Sequence, residues 1–505
     1  MSDNISVEHL DVAIVGAGLS GIDAAYRVQQ HFPGKRYAVL EARAAMGGTW
    51  DLFRYPGIRS DSDIFTFGFA FKPWSGDRPL AEGAEILSYI EQSAAERGID
   101  RHIRYGTKVT RADWSSTEQR WHLDLEVTTP SGPQQRSMTA AFVYLCVGYY
   151  RYDAGYTPDF PGIDSYTGQV VHPQFWPEDL DYSGKRVVVI GSGATAVTLL
   201  PAMADTAGHV TMLQRSPTWI SPLPGRDKNA DRIRAALPAA MAHSLIRAKN
   251  VVRSIAIYQY CTRFPRRARR LLLGLVNRYL QDEQAVAEHF TPTYNPWEQR
   301  LCASPDGEFF RALTRGDASV VTDHIETFVP EGIRLKGGSV LEADLVVTAT
   351  GLQLLPGGGI QLSLDGAEVQ LGDAFVWRGA MISGVPNLSV AVGYTNASWT
   401  LRADLTARLV CKVLDYMDRK NLTSVMPVPP QGMSKRPLLG LSSGYIKRSI
   451  EDFPWQGDRG PWVIRQNYLL DRLFTLRGGL HRDLIPAPAR PAVVADEQAA
   501  GVMAL

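Results

Sequence analysis

Two glycine-rich turns, each between a strand and a helix, constrain the fold of this chain more than any other feature. The first is VAIVGAGLSG, in which Gly16, Gly18 and Gly21 follow an apolar run at 12–15. An amphipathic helix to about Gln30 and a second strand at 37–40 come next. The first glycine permits a tight turn, the second lets the backbone approach a pyrophosphate, and the third lets helix and strand pack closely. The helix N-terminus then faces the phosphate, so this unit predicts a dinucleotide-binding domain.

The second turn, in VVVIGSGATA, has the same order of strand, turn, helix and strand. The residue that ends this second unit is chemically different. Its strands are predicted at 187–190 and 210–213, with a helix at 195–204. The first unit ends in Glu41, which is placed to accept from a free ribose hydroxyl, whereas the second ends in Arg215. A guanidinium suits the 2′-phosphate of NADP, although a plain surface arginine remains the alternative. The residues expected to hold NADP are Gly191, Ser192, Gly193, Ala194, Thr195, Ala196, Arg215 and Ser216.

Length and the order of these units predict the domain organisation. A chain of 505 residues is too long for one hydrophobic core. Apolar runs at 142–150 and 343–352 each close on a glycine and are typical of crossings between two nucleotide domains. We expect an α/β fold with two Rossmann-like dinucleotide-binding domains. FAD binding is assigned to 1–150 and 386–485, NADP binding to 151–385 with a helical insert at about 228–300, and a disordered tail to 486–505.

Composition excludes several classes of protein. A formal net charge of +1 gives no global reason to expect nucleic acid. The polar N-terminus leaves no room for a signal peptide, and no apolar run is long enough for integral membrane insertion. The four cysteines form no C-x-x-C pair, which predicts reduced, buried thiols in a cytoplasmic protein. No metal site is predicted.

The stretch 232–280 is unusual because it contains no Asp or Glu. This stretch is predicted to form helices that carry Lys and Arg on one face. One interpretation is a basic surface for peripheral contact with a membrane or for an acidic ligand. We favour the other, a helical insert packed on the second domain with a solvated basic rim, since no single helix shows an uninterrupted amphipathic face in the sequence.

Four stretches together resemble the type I Baeyer–Villiger monooxygenases. They are GGTWDLFRYPGIRSDSD, YTGQVVHPQFWP, HFTPTYNPWEQRLC and TATGL, and the similarity runs from about residue 10 to about residue 475. Within that family the chain is most similar to the ethionamide-activating branch. The family's linker signature, F-x-G-x-x-x-H-x-x-x-W-P, is matched by Gly168, His172, Trp176 and Pro177, while Tyr166 replaces its phenylalanine.

The resemblance implies FAD and NADPH as cofactors and a role for each of several residues. His172 would help to set the geometry of a mobile linker, with an acid–base role or a purely structural one as alternatives. Arg59 and Asp61 would also meet NADP. The residues that the turn and the resemblance assign to FAD are Gly16, Gly18, Ser20, Gly21, Glu41, Gly48, Thr49, Trp50, Asp51, Leu52, Asp61 and Val109.

Arg300, in YNPWEQR, aligns with the arginine that the family places over the flavin. A permanently charged guanidinium stabilises an oxyanion, and Asp61 would orient it. The alternatives are a structural ion pair for Arg300 and a turn or helix N-cap for Asp61. Many family members carry Lys directly before this arginine, but here Gln299 stands there, which leaves Arg215 and Ser216 as the main determinants for NADP.

The sequence therefore predicts an NADPH-dependent, FAD-containing monooxygenase. It would insert one oxygen atom of O₂ into ketones to give esters or lactones, and would also oxidise sulfides or thioamides. Three alternatives remain: an N- or S-oxygenating flavin monooxygenase without ketone activity, a two-nucleotide flavin reductase, which the absence of C-x-x-C disfavours, and a non-catalytic redox sensor.

Overall fold

The computed structural model describes residues 7–477 and 479–487. Within them the strands are numbered β1–β25 and the helices α1–α13 in chain order. The larger sheet has the order β20-β19-β4-β5-β6-β1-β2-β3, and β21–β23 join it through pairing of β23 with β6. Its strands are β1 Glu8–Val15, β2 Tyr37–Leu40, β3 Ile103–Arg104, β4 Thr107–Ser115, β5 Arg120–Thr129, β6 Gly132–Leu145, β19 Gln361–Leu364, β20 Ala367–Glu368, β21 Val376–Trp377, β22 Met381–Ile382 and β23 Leu388–Val390.

The smaller sheet has the order β13-β10-β9-β17-β8 and is parallel throughout. Its apolar central strands are buried, as expected for a parallel sheet with both faces covered. The two glycine-rich turns thus start from different sheets, in agreement with two dinucleotide-binding units. The strands are β8 Gln169–Val171, β9 Arg186–Ile190, β10 His209–Gln214, β13 Ala318–Thr322 and β17 Leu345–Thr348.

A short antiparallel ribbon marks the two crossings of the chain between the sheets. It pairs β7, Tyr150–Gly155, with β18, Leu352–Leu354. After this ribbon the chain rejoins the larger sheet at β19, which pairs with β4. The remaining strands are β11 Ile220–Leu223, β12 Cys302–Pro305, β14 Ile325–Val329, β15 Gly332–Leu335, β16 Val340–Glu342, β24 Met426–Pro427 and β25 Leu484–Ile485.

Helices cover both sheets and form the predicted insert. Helix α1 packs on α11 beside the larger sheet, α5 packs on the smaller sheet, and α6–α9 occupy the stretch predicted as the insert. None of the helices in the described ranges combines the length and the apolar character needed to cross a membrane. The helices are α1 Leu19–His31, α2 Thr49–Leu52, α3 Ile64–Phe67, α4 Gly83–Glu96, α5 Ala194–Ala204, α6 Lys228–Ala236, α7 Ala239–Arg263, α8 Pro265–Leu280, α9 Glu283–His289, α10 Glu308–Arg315, α11 Trp399–Lys420, α12 Gly444–Lys447 and α13 Tyr468–Arg477.

The four cysteines are free and buried. Residues 1–6 and 488–505, which include most of the predicted tail, lie outside the described residues.

Candidate active site

One cavity of about 1150 Å³ joins the two glycine-rich turns. The carboxyl ends of β1 and β9 both open into it, as expected for ligands at the ends of parallel strands. The structure brings most of the predicted site residues to its wall: Gly16, Gly18, Ser20, Glu41, Gly48, Thr49, Trp50, Arg59, Asp61, Val109, Gly191, Ser192, Gly193, Ala194, Thr195, Arg215, Ser216 and Arg300. Five others do not line it, namely Gly21, Asp51, Leu52, His172 and Ala196.

The first turn has the form that a pyrophosphate needs. Gly16 has φ +101°, and a Cβ there would lie 2.7 Å from the carbonyl oxygen of Cys146. A Cβ on Gly21 would lie 1.8 Å from the carbonyl oxygen of Gly16, so helix and turn pack in contact. Gly18 is the N-cap of α1 and offers no side chain to its amides. Those N–H groups are left for a ligand at the helix N-terminus.

Glu41 lies at the end of β2 with its carboxylate buried beside this turn. One oxygen accepts from the amide of Ala17 at 2.7 Å and the other from the amide of Arg43 at 2.9 Å. Burial raises the pKa of Glu41, and the two amides oppose that shift. Each carboxylate oxygen has a second lone pair, so Glu41 can also accept from a ribose hydroxyl.

The segment after the first unit divides between the cavity and the protein interior. Gly48 adopts φ +57° and precedes Thr49 and Trp50, which face the cavity. Asp51 instead pairs with Arg43 and with Arg54, the latter at 2.8 Å. Leu52 packs against the core of the smaller sheet. Because the segment forms one helical turn, α2, successive side chains point in different directions.

The second turn repeats this design with a more open approach. A Cβ on Gly191, at φ +133°, would lie 2.3 Å from the carbonyl oxygen of Ala349. A Cβ on Gly193, the N-cap of α5, would lie more than 4 Å from every heavy atom of the described residues outside its own chain neighbours and helix. The amides at the start of α5 are also without a side-chain cap. Ala196 is buried against the sheet, where it serves packing.

Arg215 and Ser216 follow β10 and are exposed at the edge of the cavity. Sequence reasoning missed a second cation nearby, Lys336. The amide of Asp323 donates to the carbonyl of Gln214, directly before Arg215, at 3.0 Å, and the amide of Lys336 donates to the carbonyl of His324 at 2.9 Å. Two backbone hydrogen bonds therefore bring Lys336, which is exposed and also lines the cavity, close to the Arg215 turn.

Arg300 and Asp61 meet in the wall between the two turns. The Nε atom of Arg300 lies 3.8 Å from Oδ2 of Asp61, and their side chains are 37% and 12% exposed. Burial raises the pKa of Asp61, opposed by Arg300 and Arg59. Burial disfavours the charge of Arg300, but Asp61 and nearby tyrosines hold its pKa above the ordinary value. Arg59 forms an ion pair with Glu308 at 2.5 Å, so it borders the cavity with its charge already partnered.

Three tyrosines surround Arg300 that sequence reasoning did not assign. They are Tyr149, Tyr150 and Tyr445, and all three line the cavity. The hydroxyls of Tyr149 and Tyr150 lie 3.1 Å apart. Burial raises the pKa of Tyr150 and of Tyr445, so both remain neutral donors. The pair of adjacent tyrosines in CVGYY, at the predicted domain crossing, was the sequence signal that could have identified Tyr149 and Tyr150.

His172 lies in the linker, outside the cavity wall. Its Nδ1 accepts from the amide of Gln174 at 3.2 Å, and a Cβ on Gly155 would lie 2.2 Å from its ring. Burial lowers the pKa of His172. Gln174 donates to the carbonyls of Arg151 and Tyr152 at 2.8 and 3.0 Å. The linker is thus tied to β7, and a part for His172 in hinge geometry stays a prediction.

Comparisons with known proteins agree with this architecture. Residues 14–74 match the NAD(P)-binding Rossmann-like domain, and residues 69–227 match the Flavin-binding monooxygenase-like family. The FAD-containing monooxygenase EthA of Mycobacterium tuberculosis is 50% identical over 489 residues, covering 96% of this chain and 99% of that protein. Oxidized steroid monooxygenase bound to NADP has a TM-score of 0.70 at 24% identity, covering 83% of this chain and 88% of that one. Cyclohexanone monooxygenase bound to ε-caprolactone has a TM-score of 0.69 at 21% identity, covering 84% and 90%.

Proposed function

This chain belongs to the family of FAD-containing monooxygenases, and from that premise we propose that it is a Baeyer–Villiger enzyme that converts ketones into esters or lactones. It is an NADPH-dependent flavin monooxygenase, and FAD and NADPH are its cofactors. The observation that carries the proposal is the position of Arg300, beside Asp61 in the cavity wall between the two nucleotide turns.

The residues of the first turn fit FAD. The uncapped amides at the start of α1 suit its pyrophosphate, and buried Glu41 suits a ribose hydroxyl. Gly48, Thr49 and Trp50 border the cavity on the path from this turn to Arg300. All of these groups lie either in the first unit, built on β1, α1 and β2, or in the segment at Gly48 that directly follows this unit. We therefore assign FAD to the unit built on β1 and α1.

The residues of the second turn fit NADP. The open approach at Gly193 and the uncapped start of α5 suit the pyrophosphate. Arg215, Ser216 and Lys336 provide two cations and a hydroxyl for the 2′-phosphate. Lys336 directly follows β15 of the β14–β15 hairpin. Its positive charge compensates for the charge that Gln299 does not supply. Both nucleotides thus fit one continuous cavity.

When bound, NADPH supplies a hydride and FAD supplies an activated oxygen atom derived from O₂. Arg300 stabilises the negative charge that develops on the carbonyl oxygen of the ketone as its carbon is attacked. Asp61 holds the guanidinium in place and partly offsets its charge. The neutral hydroxyls of Tyr150 and Tyr445 are available as donors on the same wall.

We extend the proposal to sulfides and thioamides as further substrates of the same cavity. A soft sulfur nucleophile takes up oxygen without passing through a substrate oxyanion, so it makes no demand on Arg300 for that purpose. An N- or S-oxygenating enzyme without ketone activity would have no need of a guanidinium at this point. Product analysis with paired ketone and sulfide substrates separates these two functions.

A disulfide reductase is the alternative that the cysteines oppose most directly. Cys146 directly follows β6 and Cys302 begins β12; both border the cavity, both are free, and burial raises the pKa of each thiol. A redox pair requires an accessible thiolate with a lowered pKa and a neighbouring partner. Both thiols are buried and have raised pKa values, so neither meets the first requirement.

Replacement of Arg300 tests the proposal. Arg300→Ala should lower kcat for ketone oxidation by about 100- to 1000-fold, which is the usual cost of one oxyanion donor. Arg300→Lys keeps the charge but loses the planar fork, so its activity should be intermediate. NADP affinity, measured by calorimetry, serves as the control for intact binding. Ketone turnover that stays within about tenfold of wild type in the alanine variant would contradict the proposal.

A further inference from the structure

The corner between α7 and α8 carries an unusual combination of exposed side chains. Tyr260, Phe264 and Leu271 are 37%, 49% and 53% exposed. We call this surface the basic corner. It consists of Tyr260, Arg263, Phe264, Arg266, Arg267, Arg270 and Leu271. The rings of Tyr260 and Phe264 lie 5.9 Å apart, and the guanidinium of Arg267 stands 5.6 Å from the ring of Phe264. Tyr260, Phe264 and Arg267 therefore form one contiguous group, and Leu271 follows Arg267 by one turn on the same helix.

The arginines of the insert divide according to the face they occupy. Arg269 points inward and donates to the carbonyls of Pro292 and Tyr294 at 2.9 and 3.0 Å. The exposed arginines of the basic corner form no ion pair with any acid in the described ranges. The nearest Asp or Glu along the chain stand at 231 and 282. The corner is a concentration of positive charge that forms no ion pair with the part of the chain that the structure describes.

Helix α8 has the amphipathic face that the sequence did not reveal. Its inward side buries Ala268, Leu272 and Val276, spaced four residues apart. Its outward side exposes Arg266, Arg267, Arg270, Leu271 and Arg278. The pattern is hidden in the sequence because Leu271, Leu272 and Leu273 run together across both faces. In the folded chain the basic side is continuous.

We propose that the basic corner docks this protein onto an anionic lipid surface. Arginines at a helix surface bind lipid phosphates, while aromatic and leucine side chains beside them enter the interfacial region. Charge alone would also suit an acidic protein or a nucleic acid. Three large apolar side chains projecting among the arginines favour the lipid, since an acyl layer beneath the phosphates buries all of them, Leu271 included.

The position of the corner links docking to the site already described. Tyr258, two residues before Tyr260 on α7, packs edge-on against Trp297 with ring centroids 5.8 Å apart. Trp297 lies three residues before Arg300 on the same loop. A protein held by the basic corner would therefore have the loop that carries Arg300 one helix away from the lipid. Apolar substrates dissolved in that lipid would be close to the cavity.

Vesicle co-sedimentation of the FAD-loaded protein tests the proposal. Vesicles of phosphatidylcholine alone are compared with vesicles that also contain phosphatidylglycerol, at low and at high salt. We expect binding only to the anionic vesicles and its loss at high salt. Each arginine contributes about a fivefold change in the partition coefficient. A variant with Arg263, Arg266, Arg267 and Arg270 replaced by Gln should therefore lose measurable binding.

Two further variants keep the test decisive. Phe264→Ser with Leu271→Ser leaves the charge intact and should weaken binding about tenfold or more, because the apolar contribution is removed. A control variant loses the same number of exposed arginines away from the corner and should bind as wild type. The replaced residues are Arg36, Arg101, Arg136 and Arg334.

Three results would overturn the proposal. One is the absence of binding to anionic vesicles, and another is equal loss of binding in the control variant. The third is a concentration-dependent dimer in light scattering that the glutamine variant abolishes, which would assign the corner to a second copy of the chain. Unchanged flavin content and thermal midpoint in every variant would exclude misfolding as the cause of lost binding.

Discussion

Replacing Gly193 by alanine separates nucleotide binding from folding more cleanly than any other change at the site. Gly193 has φ −77° and ψ −177°, a conformation open to any residue, and in the described part of the chain its Cβ would meet no heavy atom within 4 Å beyond its immediate neighbours. The variant should therefore fold normally. The new methyl group would stand where the pyrophosphate must approach the amides of α5. Losing one charge-assisted hydrogen bond there costs about 1.5–3 kcal/mol, or about 10- to 100-fold in NADP affinity.

The assay is calorimetric titration with NADP, accompanied by flavin content and a thermal unfolding curve. Flavin content should not change, because FAD is assigned to the other turn. Gly34→Ala, an open glycine away from the cavity, is the matched control and should bind NADP as wild type. Gly191→Ala should instead fail to fold well, since its Cβ would lie 2.3 Å from a carbonyl oxygen. NADP affinity equal to wild type in Gly193→Ala would refute the assignment of α5 to the pyrophosphate.

Lys336→Ala should weaken NADP binding about tenfold and leave NAD binding unchanged, because the lysine is assigned to the 2′-phosphate that only NADP carries; paired titrations check this. Asp61→Asn should slow ketone oxidation and remove the acid limb of its pH–rate profile. Burial raises the pKa of Asp61, so the wild-type rate should fall as pH drops through that raised value and Arg300 loses its ionised partner. Asp23→Asn should raise the thermal midpoint at neutral pH, measured across a pH series. Among the described residues neither carboxylate oxygen of Asp23, both buried, has a hydrogen-bond partner, and burial raises its pKa well above 3.8. The folded chain then holds this proton more tightly than the unfolded chain. The free energy of unfolding therefore falls as pH rises from the ordinary pKa of an aspartate to the raised one, with a limiting slope of about 1.4 kcal/mol for each pH increment of one.

The sequence predicted the two nucleotide units closely because local physics determines them. The glycines at 16 and 191 both require positive φ, and the apolar runs before them are buried central strands. The predicted strand at 187–190 is Arg186–Ile190 in the structure, and the predicted helix at 195–204 begins one residue earlier. In both places the local pattern of apolar run, glycine-rich turn and helix was enough to predict the elements, although distant carbonyls also press on the two glycines.

The features that the sequence did not reveal depend on contacts between distant segments. Lys336 reaches the Arg215 turn through a hairpin more than a hundred residues further along the chain. Tyr445 joins Tyr149 and Tyr150 only after the chain has crossed between sheets twice. The strands by which the chain rejoins the larger sheet, from β19 onward, have only two to four residues, too few for a hydrophobic period in the sequence, and the domain boundary at residue 386 stays a prediction.

The most direct measurement of the central claim follows the oxygen atom itself. The FAD-loaded protein is given NADPH, isotopically labelled O₂ and either a linear methyl ketone or a cyclic ketone, and the products are examined by mass spectrometry. We predict an ester or lactone that carries one labelled oxygen, formed in proportion to the NADPH consumed, and its loss in Arg300→Ala. NADPH consumption that yields only hydrogen peroxide with every ketone, together with labelled sulfoxide from a sulfide, would contradict ketone oxidation as the function.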